Sequence, residues 1–88
     1  MRNINWHANA WAEYTQLQSD KTVLRKLNQL IKEIQRNGYE SSLGKLEMLR
    51  GNYSGFASVR IDKKNRLIFQ VTDTEVNIVK CGGHYEDK

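Results

Sequence analysis

Residues 56–81, FASVRIDKKNRLIFQVTDTEVNIVKC, decide the fold. Three runs rich in β-branched and aromatic residues, Phe56 to Asp62, Arg66 to Thr72 and Glu75 to Cys81, follow one another across short connections, which predicts an antiparallel meander. Side chains alternate across a strand, so Ala57, Val59 and Ile61 share an apolar face with Leu67, Phe69 and Val71. The same parity predicts a three-residue loop, Lys63-Lys64-Asn65, that pairs Asp62 with Arg66 and Arg60 with Ile68 and holds Asn65 in a left-handed conformation. A two-residue connection at Asp73-Thr74 pairs Val71 with Val76, Phe69 with Ile78 and Arg66 with Cys81. The second face then carries Ser58, Arg60, Arg66, Gln70 and Asn77, with His84 just beyond it, and Gly82-Gly83 leave the backbone direction open there.

Upstream, the period changes. Arg2 to Trp6 reads as a first strand, with Ile4 and Trp6 alternating against Asn3 and Asn5. Ala10, Trp11, Tyr14 and Leu17 recur at helical spacing from His7 onward, and this helix stops near Ser19-Asp20, either of which can cap the next one. Val23, Leu24, Leu27, Leu30, Ile31 and Ile34 form one apolar stripe, ended by Asn37-Gly38. Two helices joined by so short a turn form a hairpin that must bury its stripe against the sheet. Leu46 to Leu49 reads as a short edge strand and Asn52 to Gly55 as a turn. The expected architecture is α+β: two N-terminal helices packed on one face of a twisted, mainly antiparallel sheet, with residues 1–88 forming a single domain. Trp6 and Trp11 are read as core anchors, and Tyr39, Tyr53 and His7 have no assigned role.

Composition narrows the function. The chain has 88 residues, 39% of them hydrophobic, and chains of about this size bury only about 60% of their unfolded surface, leaving room for one modest core. Of its formal charge of +4, the excess lies between Ser41 and Arg66, where Lys45, Arg50, Arg60, Lys63, Lys64 and Arg66 face only Glu47 and Asp62. Such a surface attracts phosphates or an acidic partner. The lone cysteine, Cys81, cannot form an internal disulfide and has no cluster of histidines to make a metal site, so neither metal nor cofactor is expected. No apolar run approaches the roughly 20 residues that span a bilayer, and the N-terminus lacks the regions of a signal peptide. A cytoplasmic protein with no membrane partner is expected.

The chemistry concentrates around Arg60, Arg66 and His84. Guanidinium forks suit phosphate because they are permanently charged and bidentate, although both arginines also read as solvated residues of an exposed sheet face. An imidazole transfers protons near neutral pH; Tyr85 either covers the sheet edge or offers a platform for a base. Glu47 on the edge strand belongs to the site only if it faces these groups.

Over nearly its whole length the chain resembles the YoeB toxins of the RelE/ParE superfamily. The resemblance is carried by the strand ending in Trp6, the Trp11 and Tyr14 helix, Asp20-Lys21 leading to Asn28-Gln29-Leu30-Ile31-Lys32, then Gly44 to Arg50, Ser54 to Ile61, Arg66 to Asp73, and His84-Tyr85. It implies the RelE-like microbial ribonuclease fold and a ribosome-dependent mRNA endoribonuclease that cleaves the codon bound in the decoding A site. Matched residue by residue, it implies Glu47 as general base, Arg66 as a catalytic arginine, His84 as general acid and Tyr85 as a supporting tyrosine. Lys45, Arg50 and Arg60 are then substrate-binding cations. Arg50 stands where the family usually has lysine, Gly82-Gly83 precede His84 where bulkier residues are usual, and Glu86-Asp87-Lys88 extend beyond Tyr85. The partners implied are a YefM-like antitoxin, the ribosome with its mRNA, and a homodimer. An exposed apolar strip including Ile68 and Val79 serves either that dimer or RNA. Two other classes fit the basic face: a non-catalytic ParE-like toxin acting on DNA gyrase, and a simple nucleic-acid or partner-binding module.

Overall fold

The computed structural model describes residues 1–41 and 43–82. In chain order the elements are β1 (Asn3–Trp6), α1 (Ala8–Gln16), a 3-10 turn (Leu17–Ser19), α2 (Lys21–Asn37), a second 3-10 turn (Gly38–Glu40), β2 (Glu47–Met48), a third 3-10 turn (Gly51–Tyr53), β3 (Ala57–Arg60), β4 (Arg66–Val71) and β5 (Glu75–Lys80). The five strands form one sheet in the order β1-β5-β4-β3-β2. Strand β1 runs parallel to β5, and the other neighbours are antiparallel. This is the expected α+β arrangement of a helical hairpin against a mostly antiparallel sheet.

Each helix begins where its sequence supplies a cap. His7 Nδ1 accepts the Asn9 N–H at 3.3 Å at the start of α1, and Asp20 Oδ1 accepts the Val23 N–H at 3.2 Å at the start of α2. Gly38 closes α2 at φ +59, donating its N–H to the Ile34 carbonyl. Val23, Leu27, Leu30 and Ile34 turn inward and meet Ala57, Val59, Leu67, Phe69, Val76 and Ile78 from the sheet. Fully burying one such aliphatic side chain contributes about 1.5–3 kcal/mol, so this layer dominates stability. Ile4 and Trp6 of β1 lie opposite Val76 and Ile78 and extend the same face. Tyr39 fastens one sheet end: its hydroxyl donates to the Gly55 carbonyl at 2.7 Å and accepts the Val71 N–H at 2.8 Å.

Four details differ from the sequence reading. The β3–β4 pairing is displaced by two residues, with Arg60 opposite Arg66 and Ser58 opposite Ile68. Asp62 is the cause: its carboxylate accepts the N–H groups of Lys64 at 2.8 Å and Asn65 at 2.7 Å, so it builds the turn instead of extending the strand. Asn65 consequently does not adopt positive φ; among the described non-glycine residues only Lys45 does, at +53°. On the other side a bulge interrupts β4–β5: Phe69 faces Ile78 but Ile68 faces Lys80, which moves Cys81 out of register with Arg66. Third, Ile68 is not exposed. It is 1% accessible, enclosed in mid-sheet between Ser58 and Lys80, while Val79 is half-buried. Finally, Trp11 is 51% exposed and lies at the surface, with its ring centroid 5.8 Å from those of both Trp6 and Tyr14. No helix among the described residues is long and apolar enough to cross a membrane.

Candidate active site

The sheet face turned away from the helices is organised in rows, because directly paired residues point to the same side. One row is an amide ladder: Asn5 Nδ2 donates to Asn77 Oδ1 at 3.0 Å, and Asn77 Nδ2 donates to Gln70 Oε1 at 3.4 Å. The next row runs Glu47, Ser58, Ile68, Lys80 across β2, β3, β4 and β5. The third is Arg60 opposite Arg66. Glu47 therefore lies on the face that carries both arginines, the condition on which its membership of the site depended.

Glu47 owes its place to the chain just before it. The Gly44 carbonyl accepts the Arg60 N–H at 2.8 Å, and a Cβ on Gly44 would stand 3.0 Å from both the Arg60 carbonyl oxygen and Val59 Cβ. Gly44 at φ +74 and Lys45 at φ +53 turn the backbone sharply there, after which Glu47 pairs with Ser58. A left-handed lysine costs about 1–2 kcal/mol. Lys45, Glu47 and Arg50 are all exposed, Arg50 at the entry to the third 3-10 turn.

Arg66 is half-buried and held. Its Nε donates to Ser58 Oγ at 2.7 Å, and Ser58 is 1% exposed. Ser58 thus ties the guanidinium to the row headed by Glu47, and the sequence reading missed it because the displaced pairing would have set Ser58 opposite Gln70. Arg60 is exposed. Like charges directly across a strand pair repel, and among the described residues the ion pair present is Lys80 with Glu13, so no described carboxylate is paired with either arginine. Two guanidiniums on the sheet face that also carries the Glu47 carboxylate make a surface that can bind a phosphodiester and accept a proton.

Two titrations mark the surroundings. Burial acts to raise the Asp62 carboxyl, but the hydrogen bonds from Lys64 and Asn65, with the Lys64 charge, outweigh it and leave it lower than an ordinary aspartate. Burial, with the nearby Glu13 charge, pushes the Cys81 thiol up to about 12, against a smaller opposing effect of Lys80. Beside Ile68 opens a cavity of about 540 Å³ lined by His7, Glu13, Tyr53, Val79 and Lys80 among others, so the Glu47 row continues into a concave surface. His84 and Tyr85 lie outside the described residues.

A family model for the YoeB-like toxin of bacterial type II toxin–antitoxin systems matches residues 6–85. The chain belongs to the YoeB-like toxin family. Toxin YoeB of Escherichia coli K12 is 41% identical over 81 residues, covering 91% of this chain and 95% of that relative. Among solved structures, the YoeB dimer from Staphylococcus aureus is similar at 38% identity and a TM-score of 0.87, covering 96% of this chain and 98% of that one. A YoeB–YefM complex from the same organism is similar at 36% identity and a TM-score of 0.86, covering 97% and 99%. The resemblance read from the sequence is thereby shown for the family and for the fold.

Proposed function

We propose that this toxin is a ribosome-dependent mRNA endoribonuclease that cleaves the codon in the decoding A site without a metal. Glu47 takes the proton from the ribose 2′-hydroxyl, whose oxygen forms a bond to phosphorus as the bond from phosphorus to the 5′-oxygen breaks. Arg66 and Arg60 stabilise the charge that builds on the phosphoryl oxygens, and His84 protonates the departing 5′-oxygen, with Tyr85 beside it. The products are a 2′,3′-cyclic phosphate and a 5′-hydroxyl end. Lys45 and Arg50 add sequence-independent contacts to the RNA backbone. The observation that carries this reading is the 2.7 Å hydrogen bond from Arg66 to Ser58, which sets a held guanidinium beside the strand position paired with Glu47.

The partners follow from the same surface. A YefM-like antitoxin with an acidic, extended tail would neutralise the basic segment from Ser41 to Arg66 and cover the site. A second copy of the chain is the other proposed partner, and the ribosomal substrate implies a cytoplasmic setting.

The test is single-turnover cleavage on programmed ribosomes with mapping of the new 5′ ends. Codon-phased cuts are expected, and Glu47→Ala and His84→Ala should each slow them about 10²–10⁴-fold while leaving ribosome binding in place. Wild-type cleavage by both variants would overturn the assigned roles. Absence of cuts together with inhibited gyrase would favour the non-catalytic toxin.

A further inference from the structure

The amide ladder beside the Glu47 row has a direction, and Glu75 sets it. An ionised carboxylate only accepts. Asn5 Nδ2 donates to Glu75 Oε2 at 2.8 Å and, with its second hydrogen, to Asn77 Oδ1 at 3.0 Å. Asn77 is thereby turned so that its Nδ2 faces β4 and donates to Gln70 Oε1 at 3.4 Å. Each amide fixes the next, so the ladder ends on Gln70 Nε2, which donates to no group among the described residues. Strand geometry fixes where this end lies. Gln70, Ile68 and Arg66 share the outward face of β4, and same-face neighbours stand about 7 Å apart along a strand. Arg66 leans toward Gln70: its Nε reaches Ser58 Oγ, and Ser58 pairs with Ile68. The held guanidinium and Glu47 therefore share the row next to Gln70. Phe56 immediately precedes Ala57, the partner of Phe69, and so flanks Gln70. Its ring meets that of Tyr53 edge-on at 6.0 Å, and Tyr53 lines the cavity beside Ile68.

We propose that Gln70 is a specificity-determining residue: its Nε2 donates to a carbonyl oxygen on the edge of a substrate base, selecting the keto bases guanine and uracil over the amino bases adenine and cytosine at one codon position. This rests on the endoribonuclease reading above. A phosphate held at the Arg66 guanidinium brings the base of the same or the adjoining nucleotide within reach of the next row, where Phe56 offers an aromatic ring beside Gln70. Guanine O6 and uracil O4 are acceptors, while adenine N6 and cytosine N4 are donors. A donor locked outward therefore rewards the first pair and opposes the second. A glutamine free to turn end over end would accept from one base as readily as it donates to the other, and would discriminate nothing. Asn77 and, through Asn5, Glu75 are thus the positioning residues that give Gln70 its selectivity.

The experiment uses the full chain and single-turnover cleavage on programmed ribosomes, with thermal unfolding measured on every variant. Codon pairs exchange uracil for cytosine, or guanine for adenine, at one position at a time. At one position the wild type should cleave the keto codon about 2–10-fold faster than its amino counterpart, the range that a single hydrogen bond supplies. Gln70→Met, which keeps the volume but removes the donor, should abolish this ratio, and Gln70→Leu replaces it if that variant is unstable. Asn77→Asp leaves Gln70 in place but presents only acceptors to it, turning Nε2 inward and Oε1 outward, so the preference should pass to the amino bases. Its added negative charge weakens all RNA binding alike and cancels in the ratio. A wild type indifferent to the exchange at every position, a folded Gln70→Met that keeps the ratio, or an Asn77→Asp variant with unaltered preference would overturn the proposal. A wild-type chain that cleaves no codon sinks the nuclease reading instead, and Gln70 is then judged by equilibrium binding of fluorescent oligouridine and oligocytidine. The wild type should favour oligouridine and Gln70→Met should bind the two equally; equal binding by the wild type, or an unchanged ratio in the variant, refutes the base contact independently.

Discussion

Ser58 illustrates how a small residue acquires a function from its neighbours. In sequence it is one polar position in an alternating strand; in the sheet its hydroxyl is buried, accepts from Arg66 Nε at 2.7 Å and stands across from Glu47. A hydrogen bond to a charged group contributes about 1.5–3 kcal/mol, and removing one partner leaves the other with an unmet donor. Ser58→Ala is therefore expected to destabilise the protein by about 1–3 kcal/mol and to slow cleavage about tenfold or more by releasing the guanidinium. Chemical denaturation and single-turnover assays would measure the two effects; an unchanged cleavage rate would show that Arg66 needs no such tether. The alternating pattern identified the face on which Ser58 sits, but the Arg66 contact depended on a two-residue displacement produced by the Asp62 turn.

At the scale of elements, the two-residue strand β2 is the weakest piece of the sheet and carries Glu47. It pairs only through Glu47 with Ser58 and Met48 with Ala57, aided by the Leu49 N–H donating to the Phe56 carbonyl at 2.9 Å. Its approach is set by Gly44, whose φ of +74 and 3.0 Å clearance from the Arg60 carbonyl leave no space for a side chain. Gly44→Ala should cost about 1–3 kcal/mol in backbone strain and displace β2, so that activity falls further than stability alone predicts. Gly51→Ala is the control: it shares a positive φ of 66°, yet nothing lies within 4 Å of its added Cβ. Equal losses of activity in the two variants at matched stability would count against the close approach at Gly44 as the reason. The helices were legible because their stripes and caps are local signals. The bulge at Val79 was not, since it arises where β5 meets both β4 and α1.

Over the whole molecule, the core joins both helices to the inner face of the sheet, and Cys81 lies inside it with no exposure. With its thiol pushed up to about 12, it should alkylate only through opening of the fold. The unfolded thiol ionises near pH 8.5 while the folded one stays protonated. Its contribution to stability is therefore complete below about pH 8.5 and declines as pH rises toward about 12. Iodoacetamide labelling across this range should accelerate in step with unfolding measured by denaturant, and rapid labelling of the native protein at neutral pH would contradict the burial. By itself the sequence determined the fold class, the core stripe, the caps and the parity that sorts Glu47's strand partners from the core, because periodicity and capping act within a few residues. Only the tertiary structure decided that Glu47 shares a row with Ser58, that Ile68 is enclosed, and that Glu13 binds Lys80 and the Cys81 N–H at the end of β5. Those contacts join segments far apart in the chain, and their register depends on turns and bulges whose geometry is settled by competing hydrogen bonds when the sheet assembles.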